Sequence, residues 1–508
     1  MSILFPKDFE ARFMDREWRL EHLYWIVDEK GQKVRFTLRP VQKIFLDTMH
    51  YYNVILKARQ LGMTTFIELL ALDMALFTPN FSVVIIAHKK EDAKKIFREK
   101  FRDVYNALPD EIKNQVKTLK SDADEMIFSN GSSIRVTTSA RSGTCQFLHI
   151  SEYGKICAKF PDKAQEIKTG SLPAVHPGGF VFIESTAEGN AGDFFDICQQ
   201  AEKIKLLGKK LLPQEYKFHF FPWYENPNYQ IEQEVHISDS MLKYFDDLAI
   251  KQNIELTQAQ MNWYAFNKSQ LGDDMQREHP SYPNEAFRVS QEGAFYKREF
   301  LRIYREKRIC KVQYETYLPV YTFWDLGVSD DTGVWFAQFL GREVRLIDYY
   351  CNNGEGLPHY AKVLKERGYN YGGHFAPHDI AVREFSTGKA RIDFALELGI
   401  RFEAVATGVD LIGGIEQVRT LLPQCYFDED KCDDENKYNS GIKALENYRK
   451  EWDDKHGIFK SKPLHDWTSH GSDAFRTMAV ALGNKQIPFN LGTRQQYPEK
   501  ASLGGWKI

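Results

Sequence analysis

The stretch VILKARQLGMTT, residues 54–65, decides how the first half of the chain is read. The apolar run NVIL (53–56) leads into a glycine-containing turn and then into TTFIELLALDMALF (64–77), which is apolar on most sides. That is a strand, a loop and a buried helix. It is also the setting of a phosphate-binding loop, whose pattern is glycine, four residues, then Gly-Lys-Ser/Thr at a helix N-terminus. Gly62 and Thr64 stand where the pattern needs them, but Met63 takes the lysine's place and Lys57 that of the first glycine. The chemistry still requires a cation on the β- and γ-phosphates. Lys57 can fold back over them from the strand end, and Arg59 is the second candidate. The Thr64 hydroxyl is a candidate magnesium ligand. On its own, K-x-x-x-x-G-x-T also suits an ordinary strand–turn–helix.

The neighbouring segments add to the nucleotide reading. FSVVIIA (81–87), CQFLHISE (145–152) and GFVFIEST (179–186) read as buried strands. The stretch 89–108 reads as one amphipathic helix, and EMIFSNGSSIRVTT as a hairpin turning at Asn130-Gly131. Apolar strands separated by helices indicate a mostly parallel sheet covered on both faces. Glu152, at the end of its strand, is placed to polarise an attacking water, with Ser151 where a magnesium-handling aspartate usually precedes it; a glutamate capping a buried strand is the plainer reading. Ser185 and Thr186 suit γ-phosphate sensing. The Gln42 amide in LRPVQ suits both polar edges of adenine. Arg141 in SARSGT is a candidate arginine finger or an ordinary loop charge.

From 191 to 310 polar helices and aromatic-proline loops such as HFFPWYENPNY (219–229) suggest a connector or subdomain. A second fold then begins: LPVYTFWDLG, VWFAQFL and VRLIDYY form an antiparallel meander. Helix and strand signals alternate after it, with late helices near 439–453 and 472–483. The expected division is a nucleotide-binding sheet domain over 1–190 with an N-terminal helical extension, a connector over 191–310, a second α/β domain over 311–487 and a flexible tail over 488–508. Asp325 lies in an apolar strand, where a lone carboxylate costs several kcal/mol unless paired. Asp379 follows the next core strand, and Asp473 opens a late helix. Three converging carboxylates would repel one another without divalent cations between them, so two Mg²⁺ or Mn²⁺ ions are expected there. Asp348 and Asp466 are possible auxiliaries; His465 and His470 read as hydrogen-bonding the loop.

Composition sets outer bounds. The 508 residues are 43% hydrophobic and 27% charged, and 67 Lys+Arg against 70 Asp+Glu leave a net charge of −3. A nucleic-acid surface must therefore be local rather than global. Seven cysteines without a C-x-x-C pair fit a reducing compartment. No apolar run approaches the ~20 residues of a membrane span, so a soluble, cytoplasmic protein is expected.

LRPVQ, KARQLGMTT, HISEYGK, STAEGN, PWYENPNY, HPSYPNEAF, WDLG and HDWTSHGSDAFR, in this order, resemble the large terminase subunit of tailed bacteriophages. The resemblance implies a RecA/ASCE-like P-loop ATPase sheet domain followed by an RNase H-like α/β nuclease domain. It also implies a phosphate-binding role for Lys57, with Gln60, Gly62, Thr64 and Thr65 in the loop around the phosphates of ATP with Mg²⁺. Arg141 would be the finger, and Asp325, Asp379 and Asp473 the nuclease triad. The implied partners are double-stranded DNA, the portal protein of a procapsid, a small terminase subunit and further copies in a pentameric ring, with no membrane. The implied location is the host cytoplasm and, transiently, the portal vertex. A DNA-repair helicase-nuclease and a DNA-binding scaffold with a dead ATP site are the alternatives.

Overall fold

The computed structural model describes residues 13–87, 89–138, 143–287, 293–327, 331–381, 390–405, 408–434, 439–453, 456 and 458–487. The chain divides into two compact units, Met1–Val289 and Ser290–Ile508. The expected tail over 488–508 lies outside the described residues.

The first unit opens with helix α1 (Arg16–Leu23), the hairpin β1 (Trp25–Val27) and β2 (Lys33–Arg35), and helix α2 (Pro40–Thr48). Its described sheet has eight strands: β3 (Tyr52–Lys57), β4 (Ser82–Ile86), β5 (Thr118–Ser121), β6 (Glu125–Phe128), β7 (Ser133–Thr137), β8 (Cys145–Ser151), β9 (Val175–Ser185) and β10 (Tyr216–Phe221). They lie in the order β10-β3-β9-β8-β4-β7-β6-β5, parallel from β10 to β7 and antiparallel beyond. Strand β9 is thus inserted between β3 and the strand ending at Ser151. This is the RecA/ASCE-like P-loop order. Ile55 faces one core with Phe66 and Leu70 of helix α3 (Met63–Phe77), while Val54 and Leu56 face the other with Ile150 and Ile183. Burial on both faces is why these strands read as unbroken apolar runs.

Three local expectations change. YKFHFF (216–221) belongs to the sheet as parallel edge strand β10 rather than to an irregular connector. The helix expected over 89–108 is interrupted by a π turn at Phe97–Arg102, which keeps Phe97 and Phe101 both fully buried. After β10, Trp223, Tyr229 and Trp263 stack in the first unit's core, so residues 191–289 fold as part of that unit.

The second unit's described sheet comprises β11 (Ile309–Cys310), β12 (Val320–Asp325), β13 (Thr332–Leu340), β14 (Glu343–Asn352), β15 (Tyr371–Ala376), β16 (Phe402–Ala404) and β17 (Cys425–Asp428). Strands β12 to β14 form the antiparallel meander, and β15 and β16 add parallel beside β12. The order β14-β13-β12-β15-β16 is RNase H-like. The helix expected over 439–453 is only α5 (Gly441–Asn447); the chain then forms the hairpin β18 (Lys450–Asp453) and β19 (Ile458–Pro463). Helix α6 starts at Thr468 and ends at Gly483, so Asp473 sits in its second turn rather than at its opening.

A buried ion pair fastens the N-terminal helix to α3. Arg19 donates from Nε and Nη2 to Asp73 at 2.9 and 2.7 Å, and the Tyr24 hydroxyl donates to the same carboxylate at 3.0 Å. Arg19→Met should strand the Asp73 charge in the core and cost about 3–5 kcal/mol, whereas Arg19→Met with Asp73→Leu should recover most of that loss. Urea unfolding of the two variants checks it; equal losses would contradict the pairing.

Candidate functional site: two anion-handling clefts

In open α/β sheets ligands lie beyond the carboxyl ends of the strands, where the strand order switches. At that edge of the first unit β3 ends in Lys57, β9 in Ser185 and β8 in Ser151, with Glu152 next. Lys57 is buried, and its ammonium lies 3.0 Å from Glu184 Oε2 and 3.5 Å from Glu152 Oε1. Among the described residues Oε2 accepts no directed hydrogen bond, so its contact with Lys57 is an ion pair. Burial opposes the Lys57 charge, but the Glu184 and Glu152 carboxylates outweigh it and hold the ammonium above its usual range. Burial likewise works against ionised Glu184, and Lys57, His149 and Thr64 together keep it well below the usual carboxylate range.

Glu184 is the residue that the sequence reading passed over. It is fully buried, accepts from Thr64 Oγ1 at 2.7 Å and Ser151 Oγ at 2.8 Å, and has His149 Nε2 3.5 Å away. Its signal was available: an acid inside the apolar run VFIES is as costly as Asp325 inside VYTFWD.

The loop between β3 and α3 is held from several sides. Gly62 has φ +73°, and a Cβ there would lie 2.8 Å from Gln42 Nε2. Gln42 is buried; it donates to Gly62 O at 3.0 Å and accepts from Arg39 N at 2.9 Å, so its amide braces the loop. Gln60, at φ +58°, accepts on its carbonyl from Arg39 Nη1 at 2.8 Å. Arg59 pairs with Glu278, which also takes Arg277 at 2.9 Å. Thr65 Oγ1 accepts from Lys100 of the π turn at 2.9 Å. Met63 is 1% exposed within the apolar core, so this position faces away from the crevice.

Glu152 adopts φ +55°, ψ +42°, left-handed for a residue with a Cβ, between β8 and helix α4 (Tyr153–Lys159). Gly154 of α4 lets Thr186 O and Ser185 Oγ approach to 2.9 and 3.0 Å of where a Cβ would stand. Ser185 and Thr186 are both buried beside it. Arg141 lies outside the described residues. The helix N-terminus at α3 with its left-handed glycine, the Thr64 hydroxyl and a flanking cation and carboxylate fit a nucleotide polyphosphate with Mg²⁺.

In the second unit Asp325 ends β12, and His470 Nδ1 of α6 lies 3.0 Å from its Oδ2. His470 thus reaches the candidate carboxylate itself. Asp473, one turn further along α6, accepts from Tyr448 OH at 3.3 Å and pairs with Arg476 at 3.2 Å. Burial pushes its carboxyl up to about 6; Arg476 opposes the rise and the nearby Asp325 charge adds to it. Gly333 allows this approach, since a Cβ there, paired with Asp325, would meet His470 O at 2.9 Å; a Cβ on Gly471 would meet Ala444 Cβ at 2.7 Å and Tyr349 OH at 2.9 Å, so α6 also lies close against α5 and β14. Asp379 follows β15, the parallel neighbour of β12, in the turn His378–Ala381, and its side chain lies outside the described residues. Among the described residues no group of three or more His, Cys, Asp or Glu side chains could hold a metal ion. Asp348 pairs instead with Arg367 at 2.8 Å, lining a separate cavity of about 460 Å³ with Tyr369 and Lys431. Asp466 pairs with Arg449 at 2.9 Å, and the His465 ring meets that of His470 at 5.8 Å.

In fold, then, the chain is a RecA/ASCE-like P-loop sheet followed by an RNase H-like sheet, with Glu184 fully buried at the strand ends of the first and Asp325 half-buried at those of the second. No protein-family model and no curated protein matches it. Among solved structures it is similar to the HK97 bacteriophage large terminase, at 15% identity and a TM-score of 0.44 over 93% of this chain and 100% of that one. It is also similar to the large terminase of a thermophilic bacteriophage, at 13% identity and a TM-score of 0.29 over 87% of this chain and 97% of that one. The Thermus phage P74-26 large terminase ATPase domain is similar at 15% identity, with a TM-score of 0.34 over 50% of this chain and 94% of that one. Among the described residues no helix is long and apolar enough to cross a membrane.

The placement of position 63 can be tested directly. Met63→Lys, which restores the usual loop lysine, should not rescue the nucleotide binding of a Lys57→Ala variant. It should also lower the stability measured in urea by several kcal/mol, because position 63 is core; rescue would show that the crevice takes a cation from there. Glu68, one turn along α3, is fully buried, neither of its carboxyl oxygens makes a hydrogen bond among the described residues, and burial pushes it up to about 8. The folded chain then keeps a proton that the unfolded chain loses near 4.5, so this group's contribution to stability falls as pH rises from 4.5 to about 8. Glu68→Gln stays neutral and should gain on wild type across that range in unfolding titrations; a constant offset would refute the assignment.

Proposed function

We propose that the chain is the motor and nuclease of a phage DNA-packaging machine. ATP hydrolysis in the first unit drives double-stranded DNA through a portal into a procapsid, and the second unit cuts concatemeric DNA when packaging starts and ends. The observation that carries this reading is the cluster at the ends of β3, β8 and β9, where Lys57 pairs with Glu152 and Glu184, and Glu184 takes the hydroxyl of Thr64 at the N-terminus of α3. In that arrangement Lys57 and the backbone from Gln60 to Thr65 hold the phosphates, Thr64 takes Mg²⁺, and Glu152 orients the attacking water. Ser185 and Thr186, packed on α4, are suited to feel the γ-phosphate and pass its loss on; Arg141 is the proposed finger. Residues 191–310 are the proposed transmitter of that change.

For the nuclease, Asp325, Asp379 and Asp473 are the proposed ligands. Bound there, two Mg²⁺ or Mn²⁺ ions would supply the charge that activates water and stabilises the leaving 3′-oxygen. What this chain contributes is a rigid approach of α6 to β12, the His470 contact on Asp325 and the Tyr448 contact on Asp473. DNA, the portal, a small terminase subunit and a pentameric ring of copies are the proposed partners. The proposed location is the host cytoplasm and the portal vertex.

Glu152→Ala should cut ATP turnover by about 10²–10⁴-fold, and Lys57→Ala should abolish it, while Mn²⁺-dependent DNA cleavage persists in both. Asp325→Ala should do the reverse. Loss of both activities in every variant would contradict two independent sites, and wild-type protein that never turns over ATP with procapsids and DNA would contradict the motor.

A further inference from the structure

The phosphate crevice departs from the usual pattern at two places, and the residues standing in for the missing ones, Lys57 and Glu184, face each other. Position 63 lacks the lysine, and Lys57 on β3 carries the cation. Position 151 lacks the aspartate, and across the ladder from Ser151 stands Glu184 on β9. Register and contacts agree: Glu184 Oε1 takes the Ser151 hydroxyl at 2.8 Å and the Thr64 hydroxyl at 2.7 Å, while Oε2 lies 3.0 Å from Lys57.

A simple counter-ion for Lys57 needs only the second of those oxygens. The first does something different. A threonine hydroxyl has one hydrogen and two lone pairs. With its hydrogen committed to Glu184, Thr64 can present only lone pairs to the crevice, the orientation a cation ligand requires. An ionised acceptor also makes the hydroxyl oxygen a better donor of those lone pairs, as outer partners do for metal ligands generally. Complete burial fixes the carboxylate at this point.

Resting on the nucleotide reading above, we propose that Glu184 is the positioning residue for the magnesium ion of the bound nucleotide. It acts through Thr64 and replaces, from the adjacent strand, the carboxylate absent at Ser151. Cation and acid have both moved, the cation from α3 to β3 and the acid from β8 to β9, so the charge balance of the crevice is kept.

The test is binding of a fluorescent ADP analogue to the full-length protein, with Mg²⁺ titrated in and with EDTA. Glu184→Gln should need at least tenfold more Mg²⁺ than wild type for the same gain in affinity, with affinity in EDTA unchanged or tighter. Returning the acid to β8, as Ser151→Asp with Glu184→Gln, should restore most of the Mg²⁺ response. Glu184→Asp keeps the charge beside Lys57 but draws back from Thr64; it should weaken the response without weakening binding in EDTA, and it serves if the glutamine variant does not fold. Equal losses with Mg²⁺ and EDTA would make Glu184 a counter-ion only and overturn the proposal, as would an unaltered Mg²⁺ response or a double variant no better than the single. Those results leave nucleotide binding itself intact; wild type binding no nucleotide under either condition would instead bring down the nucleotide reading together with this one.

Discussion

The working edge of the first unit depends on one constraint: a lysine and a glutamate, both buried, must satisfy each other. Removing either charge from water costs several kcal/mol even after relaxation, and attraction repays it only where remaining lone pairs and protons also find partners. Lys57 meets this with two carboxylates, and Glu184 meets it with an ammonium and two hydroxyls. The strand order makes that possible. Because β9 lies between β3 and β8, its last residues look both ways, toward Lys57 on one side and Ser151 on the other. The fold therefore gathers the groups, and the charges then hold the loop and the strand ends in one register.

The same dependence explains what could and could not be read from the chain. Strands β3, β8 and β9 and helix α3 were legible because burial on both faces leaves an unbroken apolar run, as in NVIL and VFIE. Strand β10 was not: YKFHFF mixes charge with aromatic residues and runs into Pro222, the signature of a loop, because an edge strand buries less. The break in the helix over 89–108 was invisible because a π turn preserves an apolar stripe while changing its step. The late helix over 439–453 failed differently, for its last residues leave the helix and pair as a short hairpin with the segment just downstream. In the site, Lys57, Thr64 and Glu152 were found through a motif. Glu184 was missed because the motif directs attention to the Ser185 and Thr186 that follow. Gln42 was read as facing a base, whereas its amide is engaged by Gly62 and Arg39; a spacing pattern cannot reveal a side chain folded back on its own loop.

The second unit achieves closeness through absence of side chains. Helix α6 comes near enough to β12 and β13 for His470 to reach Asp325 because Gly333 carries no Cβ at the contact; Gly471 lets the same helix close on α5 and β14, and Trp335 Nε1 locks the approach by donating to Gly471 O at 2.8 Å. Asp325 and Asp473 then feel each other electrostatically, which is part of why Asp473 holds its proton more tightly than an exposed aspartate. Acidic groups brought together in this way raise one another's proton affinity until a positive charge comes between them.

Glu152 shows why the first crevice is more than a folded strand end. The chain leaves β8 through a left-handed residue, a conformation that costs of order 1–3 kcal/mol in anything but glycine or asparagine-like residues. Glycine would serve the turn without that strain, as Gly62 does at the other loop. A glutamate there is therefore explained by its side chain and not by its backbone. That side chain is one-third exposed and 3.5 Å from Lys57, whereas Glu184, the other partner of the same ammonium, is fully buried. One carboxylate is shut in with the lysine and the loop hydroxyls, and the other is held open to whatever enters the crevice. A single cation between a fixed acid and an exposed one gives the site two carboxylates of different kind, and only the exposed one is free to meet an incoming water.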